Sequence, residues 1–305
     1  MELQHHPISY SNVSAKVGKV DAETVLTEAA DAYRVALGGR LLAAYALGSL
    51  AHGGFSPLVS DIDLGVIVSD PVGFGDAETI QAVADAEKAK GSALCQRLSV
   101  FWGTPSTLAG EAVGGRFPAL DRLDLLENGR LLVGTEARHG LSRPSASELL
   151  VTGAEFALDY LAGVERPPGS PAGGLGSLRP AREDAVEEIR CPEVLLARGV
   201  RRLTKLVLFP VRFLFTAETA QVGTNELAVA HYLKNGDAPG GPLVAAAFAW
   251  RIAAPADEEV AAELLGGQIV PLYLHYIADH VARLDLLGQR ELARAFETWR
   301  DRLVR

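Results

Sequence analysis

Two short runs of this sequence carry residues whose types and spacing suit chemistry on phosphates. The first is Gly48-Ser49, placed where an apolar run ends. Glycine leaves the backbone N–H open and serine adds a small hydroxyl, so phosphate oxygens can approach without side-chain obstruction. The second run, a short distance on, is Ser60-Asp61-Ile62-Asp63-Leu64. Side chains alternate along a strand, so Asp61 and Asp63 share one face while Ile62 points the other way, into the core. Two carboxylates held that close repel by a few kcal/mol at an effective dielectric of about 20. The pair is expected to hold a divalent cation, and oxygen-only ligands beside phosphates select Mg²⁺.

These residues need a scaffold, and the apolar patterning supplies one. Asp21 is placed to cap a helix in which Val25, Ala29, Tyr33 and Leu37 recur at helical spacing until Gly38-Gly39. Leu41 to Leu47 (LLAAYAL) has the length of a buried strand and delivers the chain to Gly48. Ile62 to Val68 reads as a second strand, Asp76 to Ala89 as a helix, and Leu94 to Trp102 as a third strand. A further helical pattern, the Asn128-Gly129 turn and a short strand at Leu131 to Val133 complete a small α/β unit. Helical patterns then follow at Ala146–Ala162, Val194–Thr219, Asn225–Leu233, Pro242–Ile252, Glu258–Leu265, Ile269–Leu287 and Glu291–Val304. The expected fold class is α/β plus all-α: a small mixed-sheet domain over 1–145 and a helical bundle over 146–305. A Gly/Pro-rich loop at 166–180 falls inside the second part.

Gly48-Ser49 followed by GGFSPLVSDIDL resembles the signature of the nucleotidyltransferase superfamily, and in particular the bacterial aminoglycoside (streptomycin/spectinomycin-type) adenylyltransferases. Arg212 to Ala228 (RFLFTAETAQVGTNELA) is similar to the helix-turn-helix of that family, and Glu127 to Glu136 to the strand ending its catalytic domain. The resemblance implies transfer of a nucleoside monophosphate from ATP to a hydroxyl of a small, aminoglycoside-like molecule, with pyrophosphate released. It implies Asp61 and Asp63 as catalytic Mg²⁺ ligands, and Gly48, Ser49, Ser60 and Asn225 as nucleotide contacts.

The sequence departs from the family at two places. Members carry a third carboxylate on the strand read here as LCQRLSVFW, where this chain has either Arg97 or Ser99, two residues expected to share a strand face. Glu111, Asp121 and Glu218 are the candidates to replace it. The family Ser-Lys is Thr224-Asn225 here, which keeps hydrogen bonding and loses an ammonium. These losses raise an alternative, a catalytically deficient protein that binds nucleotide or another phosphorylated ligand. His52 is a possible phosphate neighbour. The Arg198, Arg201, Arg202 and Lys205 cluster reads as a basic helix face that could meet a nucleotide but more simply is solvated or paired with Glu187 and Glu188, and Trp102, Trp250 and Trp299 read as packing residues.

Bulk properties narrow the classes further. The 305 residues carry 29 Lys+Arg against 38 Asp+Glu, a formal charge of -9. That balance argues against a nucleic-acid partner, which needs a basic face to displace counterions. With 48% hydrophobic and 22% charged residues, the composition is that of a globular chain, not a disordered or collagenous one. No run approaches the roughly 20 apolar residues of a membrane span, and the N-terminus lacks the apolar core of a signal peptide. A cytoplasmic location is expected. Cys95 and Cys191 lie far apart without zinc-type spacing and read as inert thiols.

Overall fold

The computed structural model describes residues 10–163 and 184–305, with backbone alone for 10–17. The expected loop at 166–180 lies outside the described residues. A helix α1 (Tyr10–Leu37) leads into β1 (Leu41–Leu47), a short α2 (Gly48–His52), β2 (Ile62–Val68), α3 (Asp76–Ala89) and β3 (Leu98–Gly103). After α4 (Pro105–Ala109) and α5 (Ala119–Asn128), β4 (Arg130–Gly134) completes a four-stranded sheet of order β3-β2-β1-β4. β2 and β3 are parallel and the other pairs antiparallel, so the sheet is mixed.

Helices cover both faces. Ala44, Ala46, Ile62, Leu64, Val66 and Val68 project from one side onto Leu26, Ala30 and Tyr33 of α1 and Ile80 of α3. The Tyr33 hydroxyl donates to the Ile80 carbonyl at 2.9 Å and ties those two helices together. The other face places Tyr45, Leu47 and Ile67 against Leu125 of α5, with Phe117 beside them. Asp63 is on this second face with Gly65 and Ile67, as the alternation requires.

The rest is helical: α6 (Ala146–Tyr160), α7 (Val186–Arg190), α8 (Pro192–Ala197), α9 (Val200–Thr219), α10 (Asn225–Leu233), α11 (Gly241–Trp250), α12 (Glu258–Leu286) and α13 (Arg290–Val304). Their buried faces share one apolar cluster that contains Leu158, Leu206, Val244, Leu272, Tyr276 and Trp299. Ser145 starts α6 with a capping box to Glu148. A smaller cluster of Ala119, Leu123 and Leu149, with Leu120, Ala220 and Val222 against it, joins α5 and α6 to the end of α9.

Several boundaries differ from the sequence reading. Asp21 lies inside α1 rather than at its start. β3 begins at Leu98, because Cys95–Arg97 form a 3-10 turn, so Arg97 and Ser99 do not share a strand face. The run 194–219 is two helices, split at Gly199, whose φ of 83° a helix does not accept. Conversely α12 runs unbroken through Gly266, Gly267 and Pro271. The proline ring would crowd the carbonyl four residues back, which belongs to Gly267. In α9 the internal Pro210 leaves the Leu206 carbonyl without its helical donor, and the buried Tyr273 hydroxyl donates to it at 2.8 Å.

Candidate active site

β1 ends at Leu47 and the chain turns at once into α2, with Gly48 at φ 59°. The turn has a second reason to be glycine. A Cβ there would overlap Oδ2 of Asp63, which the β1–β2 register brings opposite Leu47. The Gly48 N–H donates to Asp124 Oδ2 at 2.6 Å, and Asn128 Nδ2 donates to the other oxygen of that carboxylate at 2.9 Å. The amide expected to face a phosphate is thus held by α5, and Gly48 gives Asp63 room.

Asp61 and Asp63 sit in opposite electrostatic surroundings. Both oxygens of Asp61 are taken: Arg201 Nη2 donates to Oδ1 and Lys205 Nζ to Oδ2. Burial alone would raise this carboxyl, but Lys205 and Arg201 outweigh it and hold the group below the ordinary carboxylate range. Asp63 has no hydrogen bond or ion pair among the described residues. Burial first, then the charges of Asp61 and Asp124, push it up to about 7 against the pull of Lys205 and Arg212. Asp121, one turn before Asp124 on α5, is pushed up to about 8 by burial and then by Asp63.

A cleft of about 120 Å³ gathers all six residues singled out from the sequence: Gly48, Ser49, Ser60, Asp61, Asp63 and Asn225. They come from the start of α2, the residues that lead into and begin β2, and the start of α10. Asn225 is the first residue of α10, fixed by Thr224, whose Oγ1 accepts the Leu227 N–H at 3.2 Å. The opposite wall is α9, which contributes Lys205, Leu208, Phe209 and Arg212. His52 also lines the cleft, and burial, ahead of Arg212, lowers its pKa. A larger trough, about 610 Å³, is lined by Lys19, Val20, Glu23, Thr24, Thr27 and Glu28 of α1 and holds none of the candidate residues.

The basic cluster on α9 divides by helical phase. Arg198 Nε and Arg202 Nε hold Glu188 at 3.0 and 2.6 Å, as the sequence suggested for part of the cluster. Arg201 and Lys205, one turn apart, face Asp61 instead, and Arg212 continues their stripe toward Asp63. Sequence reasoning treated the cluster as one surface; splitting it by the 3.6-residue period separates the two pairs. Arg251 was missed altogether. It is 5% exposed, and its Nη1 donates to Glu226 at 2.9 Å and Nη2 to the Gly54 carbonyl at 2.5 Å, fastening α10 and α11 to the loop after α2.

The position opposite Asp63 in β3 is Ser99. Arg97 lies outside the strand, with Nη1 on the Pro57 carbonyl at 2.6 Å and its charge near Arg201 and Asp61. Of the three acids proposed to replace a missing carboxylate, Glu111 is exposed and Glu218 pairs with His231 at 2.9 Å; Asp121 alone lies beside Asp63. Trp102 and Trp299 are buried in the two cores, and Trp250 packs against the helical one.

Among the described residues no group of three or more His, Cys, Asp or Glu side chains is arranged to hold a metal ion. Mg²⁺ needs no such cage, since it binds through one or two carboxylates plus substrate phosphates and water. A half-buried carboxylate without a protein donor, Asp63, beside Asp61, fits that donor set. No helix among the described residues is long and apolar enough to cross a membrane.

No family model matches the chain, and no curated protein matches it in sequence. Among solved structures it is similar to the spectinomycin adenyltransferase AAD(9) from Enterococcus faecialis, crystallised with ATP and spectinomycin. The two are 12% identical with a TM-score of 0.48, over 82% of this chain and 98% of that one.

Proposed function

We propose that this protein transfers a nucleoside monophosphate from ATP to a hydroxyl of a small molecule. The observation that carries the reading is the convergence of six residues from three elements in one cleft, facing the cations of α9. Ser49, Ser60 and Asn225 offer neutral donors to a triphosphate; Lys205, Arg201 and Arg212 offer charge-assisted ones. Residues 1–145 are read as the nucleotide-binding domain and 146–305 as the helical domain that meets the acceptor. Asp61 and Asp63 are the residues that would hold Mg²⁺, which when bound offsets charge on the phosphates and the leaving pyrophosphate. Arg201 and Lys205, which hold Asp61 here, are the donors that would turn to phosphate oxygens if Asp61 held the ion. What the chain contributes is alignment of the phosphate and acceptor, plus stabilisation of developing charge.

The test is pyrophosphate release by the purified full chain with ATP, Mg²⁺ and a panel of hydroxylated acceptors that includes aminoglycosides and spectinomycin. Asp63→Ala is expected to lower turnover by about 100-fold or more, by analogy with loss of one electrostatic stabiliser. Absence of pyrophosphate with every acceptor rejects the transfer.

One observation favours a second reading, a binder without turnover. Asp61 is already neutralised by two cations, and the cleft of about 120 Å³ is small beside the roughly 300 Å³ minimum of ordinary ligand pockets. Calorimetry that finds Mg·ATP bound, with no turnover in the presence of any acceptor, selects it.

A further inference from the structure

Transfer to a hydroxyl leaves a proton to place. As the acceptor oxygen bonds to the α-phosphorus, the bond from that phosphorus to the bridging oxygen of pyrophosphate breaks, and the hydroxyl proton must go to a base. Asp61 and Asp63 line the cleft, and Asp121 and Asp124 of α5 are charged neighbours of Asp63. Asp61 is engaged by Arg201 and Lys205. Asp63 is the remaining metal ligand in the proposed reading. Asp124 is committed through both oxygens, to the Gly48 N–H and to Asn128. The β3 position that neighbours Asp63 on the same face is Ser99, which is no base.

Asp121 remains. It has no hydrogen bond or ion pair among the described residues. It lies on the helix that packs over the Asp63 face of the sheet, where Leu125 of the same helix meets Ile67. Asp124, one turn on, reaches Gly48, which places Asp121 along the same helix face and toward the same centre. Arg116 and Arg212 are its cationic neighbours, and neither is within ion-pair distance of it.

The geometry points to Asp121 as the general base of the reaction: a carboxylate supplied by α5 that accepts the acceptor hydroxyl proton, in place of one on β3. This rests on the transfer reading above. Asp121→Asn keeps the shape and removes the base, so turnover falls by roughly 100- to 10,000-fold while the Kd for Mg·ATP by calorimetry stays within about threefold. Asp121→Glu retains part of the rate. Adding Ser99→Glu to Asp121→Asn restores part of it too, because Ser99 is next to Asp63 on the same sheet face.

The outcomes separate cleanly. Turnover of Asp121→Asn at the unaltered rate overturns the assignment and leaves the transfer intact. Loss of Mg·ATP binding in Asp121→Asn also overturns it, since the residue is then structural. An unaltered protein that binds Mg·ATP and releases no pyrophosphate, with any acceptor or with water, overturns the transfer reading and the base with it.

Discussion

The two walls of the cleft are built from the same kinds of interaction but at different ranges along the chain. The sheet wall, from Gly48 to Asp63, is a turn and a strand end whose parts constrain each other within one hairpin. The helical wall is a stripe of cations on α9 that finds its carboxylate partner some 140 residues away in sequence. The sheet wall therefore supplies fixed positions, and the helical wall supplies charge that, on the proposed reading, would change partners when a nucleotide binds. Asp61 belongs to both walls, through its strand and its two ion pairs. Asp63 belongs to the sheet wall alone, and its half-buried carboxyl has no protein counterpart at bonding distance.

The largest effect is expected where the sheet wall has no slack. Gly48→Ala puts a methyl into Asp63 Oδ2 at a backbone φ of 59°, so both the turn and the carboxylate must move. The strain costs about 1–3 kcal/mol of stability, and displacement of Asp63 lowers turnover by roughly 100-fold or more. Thermal denaturation and the pyrophosphate assay check the two parts. An active Gly48→Ala protein would break the idea that this wall is rigid.

A smaller and graded effect is expected on the helical wall. If the proposed reading holds, Lys205→Gln and Arg201→Gln each remove one charge-assisted donor to the phosphates and weaken ATP by about 10-fold, with little change for adenosine. Calorimetry without metal sharpens the comparison. Asp61→Asn frees both cations and removes a negative charge, so metal-free ATP binds more tightly than to the unaltered protein, whereas the Mg²⁺-dependent gain in affinity is lost. Arg198→Gln, whose Nε is on Glu188, leaves ATP affinity unchanged.

The two cores also differ in what acid does to them. Among the described residues His280, 1% exposed between Tyr276 and Phe296 in the helical core, is the one buried histidine. Burial lowers its pKa more than the adjacent Asp279 restores it. The unfolded chain binds this proton at about pH 6.5, before the folded protein does. Stability from His280 is therefore present above pH 6.5 and lost as pH falls toward the lowered folded value, by at most about 1.4 kcal/mol per pH unit. Denaturant midpoints at pH 7.5 and 5.5 show this: His280→Gln loses less on acidification than the unaltered protein. Equal losses would remove His280 as the cause.

Much of the sheet side was legible in the sequence because its signals are local. Leu41–Leu47, Ile62–Val68 and Asp76–Ala89 are the observed β1, β2 and α3, each an apolar run or stripe bounded by its own turn residues. The six cleft residues were found from two motifs and one helix start. What escaped needed tertiary context. Nothing near Arg201 in sequence says that it meets Asp61, or that Arg251 reaches Gly54. Gly266-Gly267 and Pro271 look like a helix break, yet Leu265, Ile269, Leu272 and Tyr276 bury one continuous stripe across them. Local breakers lost to packing there.

Where α9 ends, a local rule is broken and a small gain should follow from restoring it. Ala220 caps the helix at φ 54° and ψ 29°, and it is the one non-glycine residue with positive φ among the described residues. Its N–H donates to the Thr216 carbonyl at 2.9 Å, and its own carbonyl accepts Arg143 Nη2 at 2.6 Å, so both neighbours hold it in the left-handed region. An L side chain pays about 1 kcal/mol there, and glycine does not. Glycine also loses more entropy on folding and gives up the methyl that packs against the Leu123 cluster, which takes back part of the gain. Ala220→Gly is thus expected to stabilise by about 0.5 kcal/mol, raising Tm by roughly 1–2 °C. Its methyl is not among the groups lining the cleft, so ATP affinity and turnover should hold. A fall in affinity instead would mean that the end of α9 takes part in setting the cation stripe, and the helical wall would then be tuned from its far end as well as from Asp61.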